Sequence, residues 1–394
     1  MSIRVLKFGG TSLCDSEEMK NAASVVKMND CRRAVCVSAP GARSNNDEKI
    51  TDILYRLSKD KSFDLFDKIK NRFDKIINDL GLRLDFGGEY GKIEGALSRG
   101  DTEYIVSRGE YFSGRIMAEL LGFSFVDASD VIKFDERGAV REKTSELIRN
   151  SFKGKRGIVV PGFYGSDGSG NVKVFSRGGS DITGAIVANA LRADVYENFT
   201  DVDGFMFSPP AITGKKNVIE RMSYESARFL SHYGSRVLHE DSVIYTRRGI
   251  PINIKNTFSP EKEGTVIDHG DDKAHGRVVG VTGSRGFALI SGAEVCALQN
   301  IKHVLSANGK RAVLRETDAK RLFEGRYENV ACAAVACDSR SALLLNRAVS
   351  AVLGGGITPL FIGLDSEGFV FGINNGELDK TVRILDAEFD NTKV

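Results

Sequence analysis

Lys7-Phe8-Gly9-Gly10-Thr11-Ser12 places a lysine near the end of an apolar run and two glycines just after it. Glycine lets backbone N–H groups come close to an anion, and a helix starting behind them turns its positive end to the same point. With Lys7 as a point charge, this is equipment for phosphate. The pattern is neither G-x-x-x-x-G-K-[ST] nor G-x-G-x-x-G, so neither of those nucleotide motifs applies. An ordinary tight turn is the plain alternative. Ser176-Arg177-Gly178-Gly179-Ser180-Asp181 opens a helical pattern. Ser180 reads as its N-cap and Asp181 as a first-turn acid, which explains two residues. Arg177 beside two glycines is left over, and suits a carboxylate or phosphate. Thr200 and Asp201 follow a β-rich run, at the sheet edge where α/β proteins bind ligands; alone they also read as an Asp-rich turn. Glu110, in Ser107-Arg108-Gly109-Glu110, shares a helix face with Val106, Met117 and Leu121. A carboxylate there calls for a cationic partner, unless the face is at the surface. Thr51 opens a long helical pattern and alone reads as a cap.

The elements that must carry these residues alternate. Ile3–Phe8, Ala34–Ser38, Gly157–Phe163, Asp194–Phe199 and Ile252–Ile254 read as strands, the last of them closing the series. Helical patterns begin at Asp15 or Ser16, run with apolar spacing from Ile53 to a stop at Gly81, and cover Asp101–Leu121 and Asp181–Leu191. The fold class is therefore α/β, a mostly parallel sheet between helices. Asp268–His275 is the linker candidate. Beyond it, a strand-like Phe287–Ser291 and a helical Leu298–Ala307 precede a stretch, Asn300–Glu324, that the pattern does not place. Val330–Ala336, Ser341–Leu353, Thr358–Ile362, Phe369–Ile373 and Leu378–Phe389 then read β-α-β-β-α, a small α+β module.

Composition sets the outer bounds. The 394 residues fit two or three domains at roughly 150 residues each. With 55 Lys+Arg against 53 Asp+Glu, the net charge of +2 argues against a sequence-blind nucleic-acid binder. With 41% hydrophobic and 27% charged residues, the chain can build large cores. No apolar run approaches the ~20 residues of a membrane span, and no signal-peptide core precedes Ile3. The expected location is the cytoplasm, with no membrane partner. Cys14, Cys31, Cys36, Cys296, Cys332 and Cys337 form no C-x-x-C pair, so no metal site is expected and the thiols read as small hydrophobes.

Taken in order, these motifs resemble aspartate kinases of the amino-acid kinase family. The resemblance runs through KFGGTS (Lys7–Ser12), VSAPG (Val37–Gly41), Thr51, SRGE (Ser107–Glu110) and Gly162-Phe163. It continues through SRGGSDITGA (Ser176–Ala185), FTDVDG (Phe199–Gly204) and GSRVLH (Gly234–His239). It implies an amino-acid kinase domain over residues 1–270 and paired ACT-like regulatory modules over 278–394, the first atypical or shortened. GGITPLFIG and ELDKTVRILDAEF carry the ACT likeness. It further implies ATP with Mg²⁺, and L-aspartate as phosphoryl acceptor at its β-carboxylate. Lys7, Gly9, Gly10, Thr11, Thr200, Asp201 and Arg236 would then serve the nucleotide, with Lys7 and Asp181 at the transfer itself. Ser38, Thr51, Glu110, Arg177 and Ser180 would serve aspartate, Glu110 taking the α-ammonium and Arg177 the α-carboxylate. A lysine or threonine effector and a homodimer are expected by the same resemblance. Three departures stand out: Arg236 where the family has lysine, Ser208-Pro209-Pro210-Ala211 in place of a run with an ATP-binding arginine, and Met206 where an aromatic is expected. Two alternatives remain: a sibling kinase acting on another acid, and a catalytically weak amino-acid-sensing protein.

Overall fold

The computed structural model describes residues 2–44, 46–175, 178–246, 249–270, 277–291, 305–307, 311–323, 327–337 and 340–390. The chain divides into two compact units, Met1–Gly204 with Asp241–Asp268, and Phe205–Glu240 with His269–Val394. The family-like segment before residue 270 thus contributes Phe205–Glu240 to the second unit.

The strands of the chain's first half are β1 (Arg4–Phe8), β2 (Arg32–Val37), β3 (Ser124–Phe125), β4 (Ile158–Pro161), β5 (Tyr164–Ser166), β6 (Val172–Val174) and β7 (Val195–Thr200). Next come β8 (Arg221–Ser223), which falls in the second unit, and β9 (Ile252–Asn256) and β10 (Thr265–Asp268) of the first. In the first unit the main sheet runs β3-β4-β2-β1-β7-β9-β10. All its neighbours are parallel except β9 and β10. The inner strands are apolar without alternation because helices cover both faces. The sequence pattern closes the series at Ile254, yet Thr265 pairs antiparallel with Ile254 and adds an edge strand. The short, polar-flanked TVID segment carries too little periodicity to stand out. β5 and β6 form a separate hairpin.

Most helices follow their predicted bounds. Ser16–Lys27 is capped by Asp15, whose carboxylate accepts from Glu17 N and Glu18 N at 3.0 Å each. The long pattern from Ile53 to Gly81 is two helices, Ile50–Asp60 and Phe63–Leu80, because Lys61 takes a left-handed φ of 49° and ends the first. Thr51 lies inside the first turn, after Lys49 at the cap position, so it does not cap. Likewise Gly178, at φ 58°, occupies the N-cap of the helix Gly179–Leu191; Ser180 sits one residue inside that helix and does not cap it.

Helix Thr102–Leu121 carries Glu110 and is fixed by aromatic packing. Phe112 is fully buried, with Phe73 at 4.9 Å, Phe86 at 4.5 Å and Tyr90 at 5.5 Å between ring centroids. Gly109 lets the same helix press on the loop after β2: a Cβ there would lie 2.7 Å from that of Ala39.

In the second unit, β11 (Val278–Ser291), β12 (Leu305–Ala307), β13 (Arg311–Arg315), β14 (Glu328–Cys337), β15 (Phe361–Asp365) and β16 (Gly368–Ile373) form one antiparallel sheet in the order β12-β13-β11-β14-β16-β15. Two cores sit on it. One gathers Val281, Val335, Phe371, Leu385 and Phe389; the other gathers Ile290, Leu314, Ala319 and Phe323. The β-α-β-β-α order expected for the second half holds over Glu328–Phe389, with helices Ala342–Gly354 and Leu378–Phe389. The expected helix Leu298–Ala307 is corrected at its end: Leu305–Ala307 pairs with β13, and the preceding part lies outside the described residues. Most of the linker candidate Asp268–His275 lies outside them too.

Truncating Phe112 to Ala removes the ring that joins three helices. The first unit should lose about 3–5 kcal/mol, read as a shift in its urea unfolding transition.

Candidate active site

Parallel pairing places the two glycines. Lys7 pairs with Cys36 and Asn198, so the end of β1 stands between the ends of β2 and β7. Gly9 N then donates to Phe199 O at 3.1 Å, beside Thr200. On the other side, Gly41 N donates to Gly10 O at 2.8 Å. The two loops touch backbone to backbone, and a Cβ on Gly41 would fall 2.7 Å from the Gly10 carbonyl carbon.

A cavity of about 310 Å³ opens at this edge. Lys7, Gly10, Thr11, Ser38, Thr51, Glu110, Ser180 and Asp181 all line it. These residues come from four stretches far apart in sequence. Ala39, Pro40, Gly41, Lys49, Phe163, Gly178 and Gly179 complete the lining. The first turn of helix Gly179–Leu191 is part of the wall, so its N-terminal N–H groups contribute positive potential.

Lys7 Nζ lies 2.7 Å from Asp181 Oδ1, and both side chains are largely buried. Asn198 Nδ2 donates to the same carboxylate oxygen at 3.1 Å, and the Tyr196 hydroxyl donates to Asp181 O at 3.0 Å. Sequence alone gives neither a role here: Asn198 opens the Asn198–Gly204 run that reads as an Asp-rich turn, and Tyr196 lies in the strand-like run before it. The signal that finds them is the two-residue period of β7, which turns Tyr196, Asn198 and Thr200 to one face.

Glu110 is 4% exposed. Among the described residues its Oε2 has no hydrogen-bond partner. Burial pushes its carboxyl up to about 8; hydrogen bonds from backbone amides, that of Ala39 first, and the Arg108 charge pull the other way without winning. The expected cationic partner is therefore not a side chain packed on the carboxylate. Glu110 lines the cavity, and its Oε2 is a buried acceptor left without a partner among the described residues.

Other expected site residues stand elsewhere. Thr200 Oγ1 donates to Asp201 Oδ1 at 3.2 Å at the end of β7; Asp201 is exposed, and neither residue lines this cavity. Arg236 is exposed and belongs to the second unit. Arg177 lies outside the described residues. Lys49 looks like any polar loop residue, and Phe163, named in the Gly162-Phe163 motif without a site role, reaches the cavity wall from a backbone with φ 75°. Among the described residues no three His, Cys, Asp or Glu are grouped to hold a metal, and no helix is long and apolar enough to cross a membrane.

Chemically, the cavity joins two unlike halves. Lys7, backbone amides and a helix N-terminus suit an anion; a buried carboxyl with a free oxygen suits a cation. The sign of the Glu110 linkage is testable. A carboxyl whose folded value lies near 8 costs stability as pH rises from its ordinary range of about 4.5 through 8. Glu110→Gln cannot ionise, so its stability relative to wild type should rise over that window, measured by paired melts at pH 5 and pH 9.

The amino acid kinase family model matches residues 2–256. Aspartokinase 3 of Bacillus subtilis is 32% identical over 310 residues, covering 73% of this chain and 68% of that one. A bifunctional aspartokinase/homoserine dehydrogenase of Haemophilus influenzae is 28% identical, and its match spans 39% of that longer protein. Among solved structures, Clostridium acetobutylicum aspartate kinase is 30% identical, with a TM-score of 0.79 over 99% of this chain and 100% of that one. Escherichia coli aspartokinase III in complex with aspartate and ADP has the same fold, with a TM-score of 0.84 at 21% identity over 99% of this chain and 100% of that one. With its parallel sheet between helices and its C-terminal antiparallel, ACT-like sheet, the chain belongs to the amino acid kinase family and, within it, to the aspartokinases.

Proposed function

We propose that this protein transfers the γ-phosphoryl group of ATP to the β-carboxylate of L-aspartate, giving ADP and 4-phospho-L-aspartate, the step that opens lysine, methionine and threonine biosynthesis. The observation that carries the reading is the shared cavity, where the Lys7–Asp181 pair and a helix N-terminus stand together with the buried Glu110 carboxyl. An α-amino acid with a second carboxylate needs both halves. A relative is named aspartokinase, and a protein of the same fold has been solved with aspartate and ADP.

The acceptor carboxylate is already ionised at neutral pH, so no general base is needed. The obstacle is repulsion between an anion and a polyphosphate. Lys7, the backbone at Gly10 and Thr11 and the first turn of helix Gly179–Leu191 lower it by fixed positive charge, whereas the Gly9 amide is already committed to Phe199 O. Asp181 aims the Lys7 ammonium. Glu110 takes the α-ammonium of aspartate, with Ser38, Thr51 and Ser180 along the same wall. Arg177 takes the α-carboxylate, and Thr200 and Asp201 serve the nucleotide. Asp181 is the acidic side chain beside Lys7, and among the described residues no group of three His, Cys, Asp or Glu forms the cluster a protein-built cage would need. Asp181 would be the side chain available to a Mg²⁺ brought in with the nucleotide, and the ion would supply charge neutralisation there. An effector amino acid at the C-terminal unit, lysine or threonine, and a homodimer complete the reading, as does a cytoplasmic location. E. coli aspartokinase III has been solved with lysine and aspartate. Leu343 and Leu364 are 70% and 60% exposed in the C-terminal unit, which suits a subunit contact.

Glu110 also bears on the alternatives. An N-acylated acid has no α-ammonium for it. ADP release measured with L-aspartate, L-glutamate and N-acetyl-glutamate should respond to L-aspartate; silence with all three and intact ATP binding would favour a sensing protein. Lys7→Ala should lower kcat by roughly 10²–10³ while the fold survives, since it removes a charge from the transferring group. Glu110→Gln should raise the aspartate KM by about 10-fold or more with a smaller change in kcat. In the wild type that KM should fall as pH rises toward 8 and level off above it, because the ammonium binds the ionised carboxylate. The pH dependence should be absent in the glutamine variant.

A further inference from the structure

Arg72 sits on the apolar face of helix Phe63–Leu80, between Ile69, Phe73 and Ile76, and is 8% exposed. Hydrophobic packing does not account for a guanidinium there. Its hydrogen bonds do. Nη2 donates to Cys14 O and to Gly41 O, both at 2.7 Å, and Nη1 donates to Asp47 Oδ2 at 2.8 Å. Asp47 is held in turn by Arg43, through the backbone N at 3.0 Å and the guanidinium at 2.7 and 3.0 Å. One cation therefore ties three separate pieces of chain. The first is the turn that follows Gly10 and Thr11. The second is the loop carrying Ser38 and Gly41. The third leads through Lys49 to Thr51. All three supply lining of the cavity. The first two also meet directly, Gly41 N on Gly10 O, so loosening either one moves both.

We propose that Arg72, braced by Asp47, is a positioning residue for phosphoryl transfer: it locks the two glycine-bearing loops so that the nucleotide-facing amides meet the acceptor carboxylate in line. The inference rests on the kinase reading given above. Arg72 touches neither substrate; it acts through the Gly41 and Cys14 carbonyls. Lysine keeps the charge but cannot donate in three fixed directions. Glu110, which sets the aspartate affinity, stands on a different helix, Thr102–Leu121. Ser38 and Thr51 ride on the clamped segments, so misplaced loops weaken aspartate binding slightly, but the charge contact at Glu110 stays and turnover should fall by the larger factor.

The test uses the full-length protein. Arg72→Lys should melt within a few degrees of wild type, lower kcat by about 10–100-fold and leave the aspartate KM within about threefold. Asp47→Asn should give a smaller loss, and the double variant should be no worse than Arg72→Lys, since both act through one clamp. Amide hydrogen exchange should quicken over residues 9–14 and 38–49. Guanidinium at about 10 mM should restore part of the turnover of folded Arg72→Ala by refilling the same donor positions. Lys75→Ala, on the exposed side of the same helix, should change nothing. Should Arg72→Ala fail to fold, the lysine and asparagine variants decide. Wild-type kcat and exchange in Arg72→Lys would overturn the proposal, as would an aspartate KM that rises by as large a factor as kcat falls. If wild type releases no ADP with aspartate, the kinase reading fails instead, and the exchange data still report on the clamp.

Discussion

Lys7 and Asp181 meet at 2.7 Å where β1 ends and helix Gly179–Leu191 begins, and the first unit is arranged so that this contact is possible. β1 delivers the ammonium and the helix delivers the carboxylate. β7 lies beside β1 and supplies Asn198 to hold the carboxylate from below. A lysine free in a phosphate site would sample many rotamers. One paired to a partly buried acid is aimed before the nucleotide arrives, and less ordering remains to be done in the reaction. The same pairing keeps the cavity from presenting an uncompensated buried charge.

Glu110 is the counterweight. It is buried, it retains an unmet acceptor, and its carboxyl titrates well above the ordinary range. Such a group is poorly placed for stability alone. Its environment makes sense once a cation is supplied from outside, which is what an α-amino acid brings. On the proposed function, one cavity combines groups suited to an anion with a carboxyl suited to a cation, and a substrate carrying both charges would be selected.

Much of this arrangement is legible in the residues. The strand–turn motif around Lys7 and the helix start around Asp181 show up as chemistry placed beside special backbone, and Glu110 shows up as a charge among apolar neighbours. Three things hide. Asn198 is masked by the acid-rich turn that follows it, although its strand period points the right way. Ser180 and Thr51 look like caps because capping chemistry and ligand chemistry use the same hydroxyls; the backbone decides, and Gly178 and Lys49 take the cap positions. Arg72 lies in a helical pattern whose apolar residues dominate the reading, and only tertiary contacts reveal where its donors go. In the C-terminal unit the failure is of another kind. Leu305–Ala307 is a three-residue edge strand, too short for a period to declare itself.

In the proposed function one cavity holds a polyphosphate at Lys7 and an amino acid at Glu110 so that their reacting groups face each other. A crystal structure of the protein with a non-hydrolysable ATP analogue and L-aspartate tests it most directly. The account predicts the terminal phosphate within hydrogen-bond distance of Lys7 Nζ and the amino acid's ammonium on the Glu110 carboxylate. A triphosphate bound away from Lys7, or an aspartate whose ammonium avoids Glu110, would contradict it.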